Sequence, residues 1–127
     1  MRYLLDTHAI IWLIEDSPKM RLEMKEIVKH IQNDIYISSV SLWEIAIKIN
    51  LNKLDLGLSF DEVVAEIKNS DINILQIEDE YLSRLSKLPF LHKDPFDRLI
   101  ISTALVEDLT IITVDENIQK YDVSWIF

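Results

Sequence analysis

The apolar positions along the chain switch repeatedly between short strand-like runs and helical spacing. Tyr3-Leu4-Leu5 is a strand-like run that ends at Asp6, and Thr7 to Glu15 follows as a helix. Ser17-Pro18 has the form of a helix opening, a cap followed by proline at the first position. Apolar residues then come at Met20, Met24, Ile27, Val28 and Ile31. Ile35-Tyr36-Ile37 predicts a strand stopping at Ser38-Ser39, and Leu42 to Ile49 carries helical spacing that ends near Asn50-Leu51-Asn52. Ser59-Phe60-Asp61-Glu62 is a capping box opening a helix toward Asn69. Ile72 to Ile77 alternates as a strand does, Glu78 to Leu88 is a helix ended by Pro89, and Pro95 opens another helix. The core face of that last helix is Leu99, Ile100, Thr103, Ala104 and Val106. Thr110 to Val114 is a buried-type strand and Ser124 to Phe127 a final edge strand.

Strands alternating with helices predict an α/β fold with a parallel sheet covered on both faces. Right-handed crossovers bring the C-terminal ends of the strands to one edge, where open α/β sheets place their ligands. The 127 residues contain no repeat, low-complexity tract or Pro/Gly-rich linker, so residues 1–127 are expected to form a single domain. The longest apolar run, Ala9 to Ile14, falls far short of the roughly 20 residues of a membrane span. No signal-peptide pattern follows Met1-Arg2, so the expectation is a soluble, cytoplasmic protein without membrane contact.

Composition removes whole classes of chemistry. There is no cysteine, hence no disulfide, thiolate metal site or thiol nucleophile. Gly57 is the only glycine, which excludes a Walker loop and a Rossmann fingerprint. Twenty-two acidic against 13 basic residues give a net charge of −9, which repels nucleic acid at long range. Contact with nucleic acid would need a basic patch, a partner, or cations that reverse the sign at one site.

With so many acids, their position relative to the strands is what carries information. Asp6 ends the first strand and Asp115 follows the Thr110–Val114 strand. Glu44 lies early in the helix after Ser38-Ser39, and Asp97 lies in the first turn of the helix opened by Pro95. All four are expected at one sheet edge. Two unit charges 4 Å apart repel by about 1 kcal/mol in water and about 4 kcal/mol near a protein surface. Such a cluster therefore takes up protons or a cation. Oxygen ligands without cysteine or histidine suit Mg²⁺ or Mn²⁺, one or two ions, which activate water and neutralise phosphate in phosphodiester hydrolysis.

Each acid also has a structural reading. Asp6 can cap the first helix, and Ser41-x-x-Glu44 matches a capping box, with Lys48 four residues on as an ion-pair partner for Glu44. Asp94 is best read as the cap ahead of Pro95, and Asp115 can be a turn residue. These readings account for the acids one at a time but not for their common edge. His8, His30 and His92 lack metal-like spacing, with His30 on a solvated helix face. Trp12 and Trp43 follow core periodicity. Lys48, Lys53, Lys93 and Arg98 are the basic residues nearest the edge, with Arg98 a candidate partner of Asp94.

Four segments together resemble a known family: Arg2-Tyr3-Leu4-Leu5-Asp6-Thr7-His8-Ala9, Ser38 to Lys48 around Trp43-Glu44, His92-Lys93-Asp94-Pro95-Phe96-Asp97-Arg98-Leu99-Ile100, and Leu109 to Asp115. They are similar in content and order to PIN-domain nucleases, in particular VapC-like toxins of type II toxin–antitoxin modules. The resemblance implies a three-layer α/β/α fold and an Mg²⁺- or Mn²⁺-dependent endoribonuclease. It assigns Asp6, Glu44, Asp97 and Asp115 as metal-binding catalytic acids, with Thr7, Asp94 and Thr113 in supporting positions. Val114 stands where relatives often carry a basic residue. The resemblance further implies an RNA substrate, a homodimer and a cognate antitoxin, with a basic antitoxin side chain expected to enter the acidic pocket.

Other classes fit less well. A receiver domain needs a phosphate-accepting Asp and a later Lys at strand ends that here carry Ser38-Ser39 and Asp115. A haloacid-dehalogenase-type phosphatase needs acid-x-acid where this chain has Asp6-Thr7-His8. The remaining alternative is a non-catalytic α/β metal-binding module.

Overall fold

The computed structural model describes residues 1–127. In chain order the elements are β1 (Arg2–Leu5), α1 (Thr7–Glu15), α2 (Leu22–Lys29), β2 (Asp34–Ser38), α3 (Ser39–Asn50) and α4 (Phe60–Lys68). They continue with β3 (Asn73–Leu75), α5 (Asp79–Leu85), α6 (Pro95–Glu107), β4 (Thr110–Ile112), α7 (Glu116–Gln119) and β5 (Trp125–Ile126). The strands form one sheet in the order β3-β2-β1-β4-β5, and every neighbouring pair is parallel. β1 is central, with Leu4 opposite Tyr36 on one side and Ile111 on the other.

Because successive strand residues face opposite ways, the central strands feed two cores. Tyr3, Leu5, Ile35, Ile37 and Ile112 point to one face, where Ala9, Ile10, Ile45, Val63 and Ile67 from α1, α3 and α4 cover them. Leu4 and Ile111 point to the other, under Leu99, Ile100, Ala104, Tyr81 and Ile118 from α6, α5 and α7. The parallel sheet is covered on both faces, as the alternation of elements predicts, in the three-layer α/β/α arrangement that the family resemblance implies. No helix is long and apolar enough to cross a membrane.

Several boundaries differ from the sequence expectation for local reasons. The helix expected from Ser17-Pro18 begins only at Leu22. Asp16 ends α1 in the left-handed conformation (φ 49°), and the Ser17 N–H returns to the Trp12 carbonyl at 2.9 Å. Residues 17–20 are then spent on a turn, closed by Met20 N–H to the Ser17 carbonyl, that drives Met20 into the core. α2 stops at Lys29, so Ile31 never completes the helical stripe and is 94% exposed. The strands expected over 72–77 and 110–114 pair only over Asn73–Leu75 and Thr110–Ile112. α3 starts earlier than expected because Ser38, not Ser41, caps it through Val40 N–H. The capping box of α4 forms as written, Ser59 and Glu62 each accepting the other's backbone N–H at 3.1 Å.

Candidate metal centre

In a sheet ordered β3-β2-β1-β4-β5 the chain leaves β1 toward one side and β4 toward the other, so a crevice opens beyond their C-terminal ends. Asp6 is the first residue after β1. Its Oδ1 caps α1 by accepting the Ala9 N–H at 2.8 Å. Its Oδ2 accepts the hydroxyl of Thr113, just past β4, at 2.5 Å. The same buried Thr113 oxygen accepts the Asp115 N–H at 3.0 Å. One hydroxyl thus joins the two strand ends across the crevice and fixes both acids. Asp115 in turn caps the short α7 with Oδ1, to Asn117 N–H at 2.8 Å, a helix absent from the sequence reading.

Asp94 takes the capping role expected of it. Its Oδ1 accepts the N–H groups of Phe96 and Asp97 at 2.8 and 3.1 Å, with Pro95 next in the helix. This fixes the first turn of α6, from which Asp97 meets His92 and Asp115. His92 Nε2 stands 2.9 Å from Asp97 Oδ2 and 3.7 Å from Asp115 Oδ2. His92, Asp97 and Asp115 can each offer one ligand atom such that all three atoms lie within 4.8 Å of one another.

Sequence spacing gives His92 no ligand partner, and the structure corrects that reading by placing it against two acids. What holds it there is Tyr121, which also carries no sequence signal. The buried Tyr121 hydroxyl donates to the Pro89 carbonyl at 2.7 Å and accepts the N–H groups of Leu91 and His92 at 2.9 and 3.1 Å. A residue after α7 thereby pins the loop before α6, a long-range relation that local patterning does not encode.

Electrostatics register the crowding. Burial pushes the Asp97 carboxyl up to about 7, the His92 contact opposes the rise, and the charges of Asp94, Asp115 and Asp6 add to it. Asp6 is also held above its ordinary value, first by burial and then by Asp115, against the stabilising bonds from Thr113 and Ala9.

Glu44 stands outside the group formed by His92, Asp97 and Asp115, on a helix that packs against the two that carry Asp6 and Asp97 at their starts. Thr7 donates to Ser41 Oγ at 3.0 Å, tying the start of α1 to α3, and Glu44 lies three residues further along α3, which packs on both α1 and α6. Glu44 is buried, with Oε2 on Lys48 Nζ at 2.8 Å, while Oε1 is buried with no hydrogen-bond partner. An orphaned carboxylate oxygen is costly, and a cation would satisfy it. With the neighbouring carboxylates and one imidazole, and no thiolate, the donor chemistry suits a divalent ion of the Mg²⁺ or Mn²⁺ kind.

Among the weaker candidates, Lys48 pairs with Glu44, as its spacing indicated, and Lys53 and Lys93 are exposed. Arg98 does not meet Asp94. Its guanidinium lies over the Phe90 ring and donates to the Leu88 carbonyl at 3.3 Å. Trp12 is half-buried, against Phe127, but Trp43 is not core. It is 59% exposed, its ring edge-on to Phe96 with centroids 5.3 Å apart, beside the residues that carry Glu44 and Asp97.

The PIN domain family profile matches residues 3–124. Among curated proteins nothing matches the chain. Solved structures align over almost the whole length at low identity. VapBC2 from Rickettsia felis, bound to a DNA fragment from its promoter, is 20% identical, with TM-score 0.75 and coverage of 99% of this chain and 98% of that one. VapBC-1 from nontypeable Haemophilus influenzae is 21% identical, with TM-score 0.70 and coverage of 99% and 97%. FitAcB from Neisseria gonorrhoeae is 19% identical, with TM-score 0.70 and coverage of 98% and 96%. At these identities the likeness is one of fold, and it agrees with the profile, which spans all but the first two and last three residues: the chain belongs to the PIN domain family.

Proposed function

We propose that the protein is a cytoplasmic, metal-dependent endoribonuclease acting as the toxin of a toxin–antitoxin pair. The observation that supports this most is the meeting of Asp6, Asp97 and Asp115 at the switch point of the sheet, where Asp6 and Asp115 add to the lift on Asp97. Asp6, Glu44, Asp97 and Asp115 would hold one or two Mg²⁺ or Mn²⁺ ions. When bound, such an ion supplies an activated water and neutralises the phosphate and the leaving oxygen. The chain's own residues do the positioning: Thr113 orients Asp6, Asp94 sets the first turn of α6, and the Thr7–Ser41 bond holds α1 against the helix of Glu44. Trp43, exposed beside the acids, offers a face on which an unpaired base can stack, which favours single-stranded RNA over duplex.

The toxin role rests on the fold shared with the VapBC and FitAcB structures, and with it come a cognate antitoxin and a homodimer as partners. Induced expression in a bacterial host tests the role directly. Growth arrest relieved by Asp6→Ala, and by co-expression of a cognate antitoxin, is the expected result. Unimpaired growth with the folded protein present would refute it.

A further inference from the structure

We infer that His92 is a nitrogen ligand of the metal centre, which makes the site favour Mn²⁺ over Mg²⁺. The inference rests on the metal-centre reading above and adds a donor that the four acids do not include.

Its first support is spacing. With metal–ligand distances of ~2.1 Å, adjacent donors of an octahedral ion stand ~3 Å apart and opposite ones ~4 Å apart. The separations of His92 Nε2 from Asp97 Oδ2 and Asp115 Oδ2, 2.9 and 3.7 Å, fall in that range. The second support is preorganisation. His92 is the end of a loop whose backbone is clamped at three points by the Tyr121 hydroxyl, at Pro89, Leu91 and His92 itself. A clamp of this kind costs a buried tyrosine its freedom and yields a fixed histidine beside two acids, as metal sites need from their outer support. The third is economy of exposure. The His92 side chain is 12% exposed, against full exposure for a histidine that merely solvates a loop, so its ring has been brought in from water toward the carboxylates.

An imidazole nitrogen is a borderline donor. It strengthens binding of Mn²⁺ more than of Mg²⁺, which prefers oxygen and keeps its waters. Tyr121 acts as a positioning residue, not a ligand.

Pulsed electron paramagnetic resonance of Mn²⁺ bound to the full chain tests the assignment, because a coordinated imidazole imprints ¹⁴N modulation that carboxylates cannot. Mn²⁺ and Mg²⁺ affinities are titrated in parallel on the wild type, His92→Gln, Tyr121→Phe, Asp6→Asn and Asp97→Asn, each checked for folding by circular dichroism. The expected result is ¹⁴N modulation in the wild type and its loss in His92→Gln, with Mn²⁺ binding about tenfold or more weaker and Mg²⁺ binding changed less. Tyr121→Phe should weaken Mn²⁺ while keeping the modulation. Bound Mn²⁺ that shows no ¹⁴N modulation, or modulation unchanged in a folded His92→Gln, overturns the role of His92 and leaves the acidic centre standing. Mn²⁺ that does not bind, or binds equally well to Asp6→Asn and Asp97→Asn, overturns the metal-centre reading and this inference with it.

Discussion

Replacing Asp97 by asparagine should stabilise the metal-free protein by an amount that grows as pH rises from about 4 to about 7. Burial and the neighbouring acids push Asp97 up to about 7, whereas in the unfolded chain it titrates near its ordinary value of 3.8. The folded state therefore binds the extra proton between about pH 4 and about pH 7, and stability falls as pH rises through that window. About 3 pH units at ~1.4 kcal/mol each sets an upper bound of ~4 kcal/mol, in which the bond to His92 is already counted, and relaxation of the site reduces this to about 2–3 kcal/mol. The substituted amide keeps an oxygen for His92 and carries no charge. In EDTA, wild type and Asp97→Asn should melt together near pH 4, and near pH 8 the variant should melt about 6–15 °C higher, at roughly 3–5 °C per kcal/mol for a domain of this size. Asp6 is raised too and contributes a slope of the same sign, so the quantity to compare is the difference between variant and wild type across pH. Thermal denaturation followed by circular dichroism at several pH values provides it. A difference that does not change with pH, or a variant less stable at pH 8, would refute the argument that these acids are crowded and partly desolvated.

Three further outcomes follow. Millimolar Mn²⁺ or Mg²⁺ should raise the melting temperature of the wild type, by about 2.7 kcal/mol of added stability at a hundred times Kd, and do little for Asp6→Asn or Asp97→Asn; calorimetry in matched buffers reads this. Thr113→Val should cost about 1–3 kcal/mol in urea denaturation and depress RNA cleavage, because Asp6 Oδ2 and the Asp115 N–H both lose the buried hydroxyl, while Thr113→Ser should recover most of both. Ser59→Ala, which removes the cap of α4 and touches none of the crevice acids, should cost about 1 kcal/mol of stability and leave cleavage unchanged.

Local chemistry made much of this molecule legible in its sequence. The apolar runs at Tyr3–Leu5 and Ile35–Ile37 lie in β1 and β2, the run Thr110–Val114 supplies β4 over its first three residues, and the cap at Asp94 and capping box at Ser59 form as their spacing implies. Strand-end placement puts Asp6 directly after β1, whereas Asp115 follows β4 by three residues and is fixed by the Thr113 hydroxyl and its cap on α7. Failures came where tertiary relations decided. Ser17-Pro18 has the residues of a helix start but is consumed in a reversal that buries Met20, and periodicity could not tell that Trp43 would lie on the outer side of α3. His92 and Tyr121 are 29 residues apart and meet only because the α7 segment folds back on the loop before α6. No spacing rule within either segment carries that contact.

The central claim is that the acids of this crevice would hold a divalent ion on which RNA hydrolysis by this chain depends. The most direct measurement is cleavage of total cellular RNA by the purified chain in Mn²⁺ or Mg²⁺ and in EDTA, alongside Asp6→Ala and Asp97→Ala. Discrete fragments that require the metal and vanish in both folded variants are the predicted result. Cleavage that persists in EDTA, or in either variant, would contradict it.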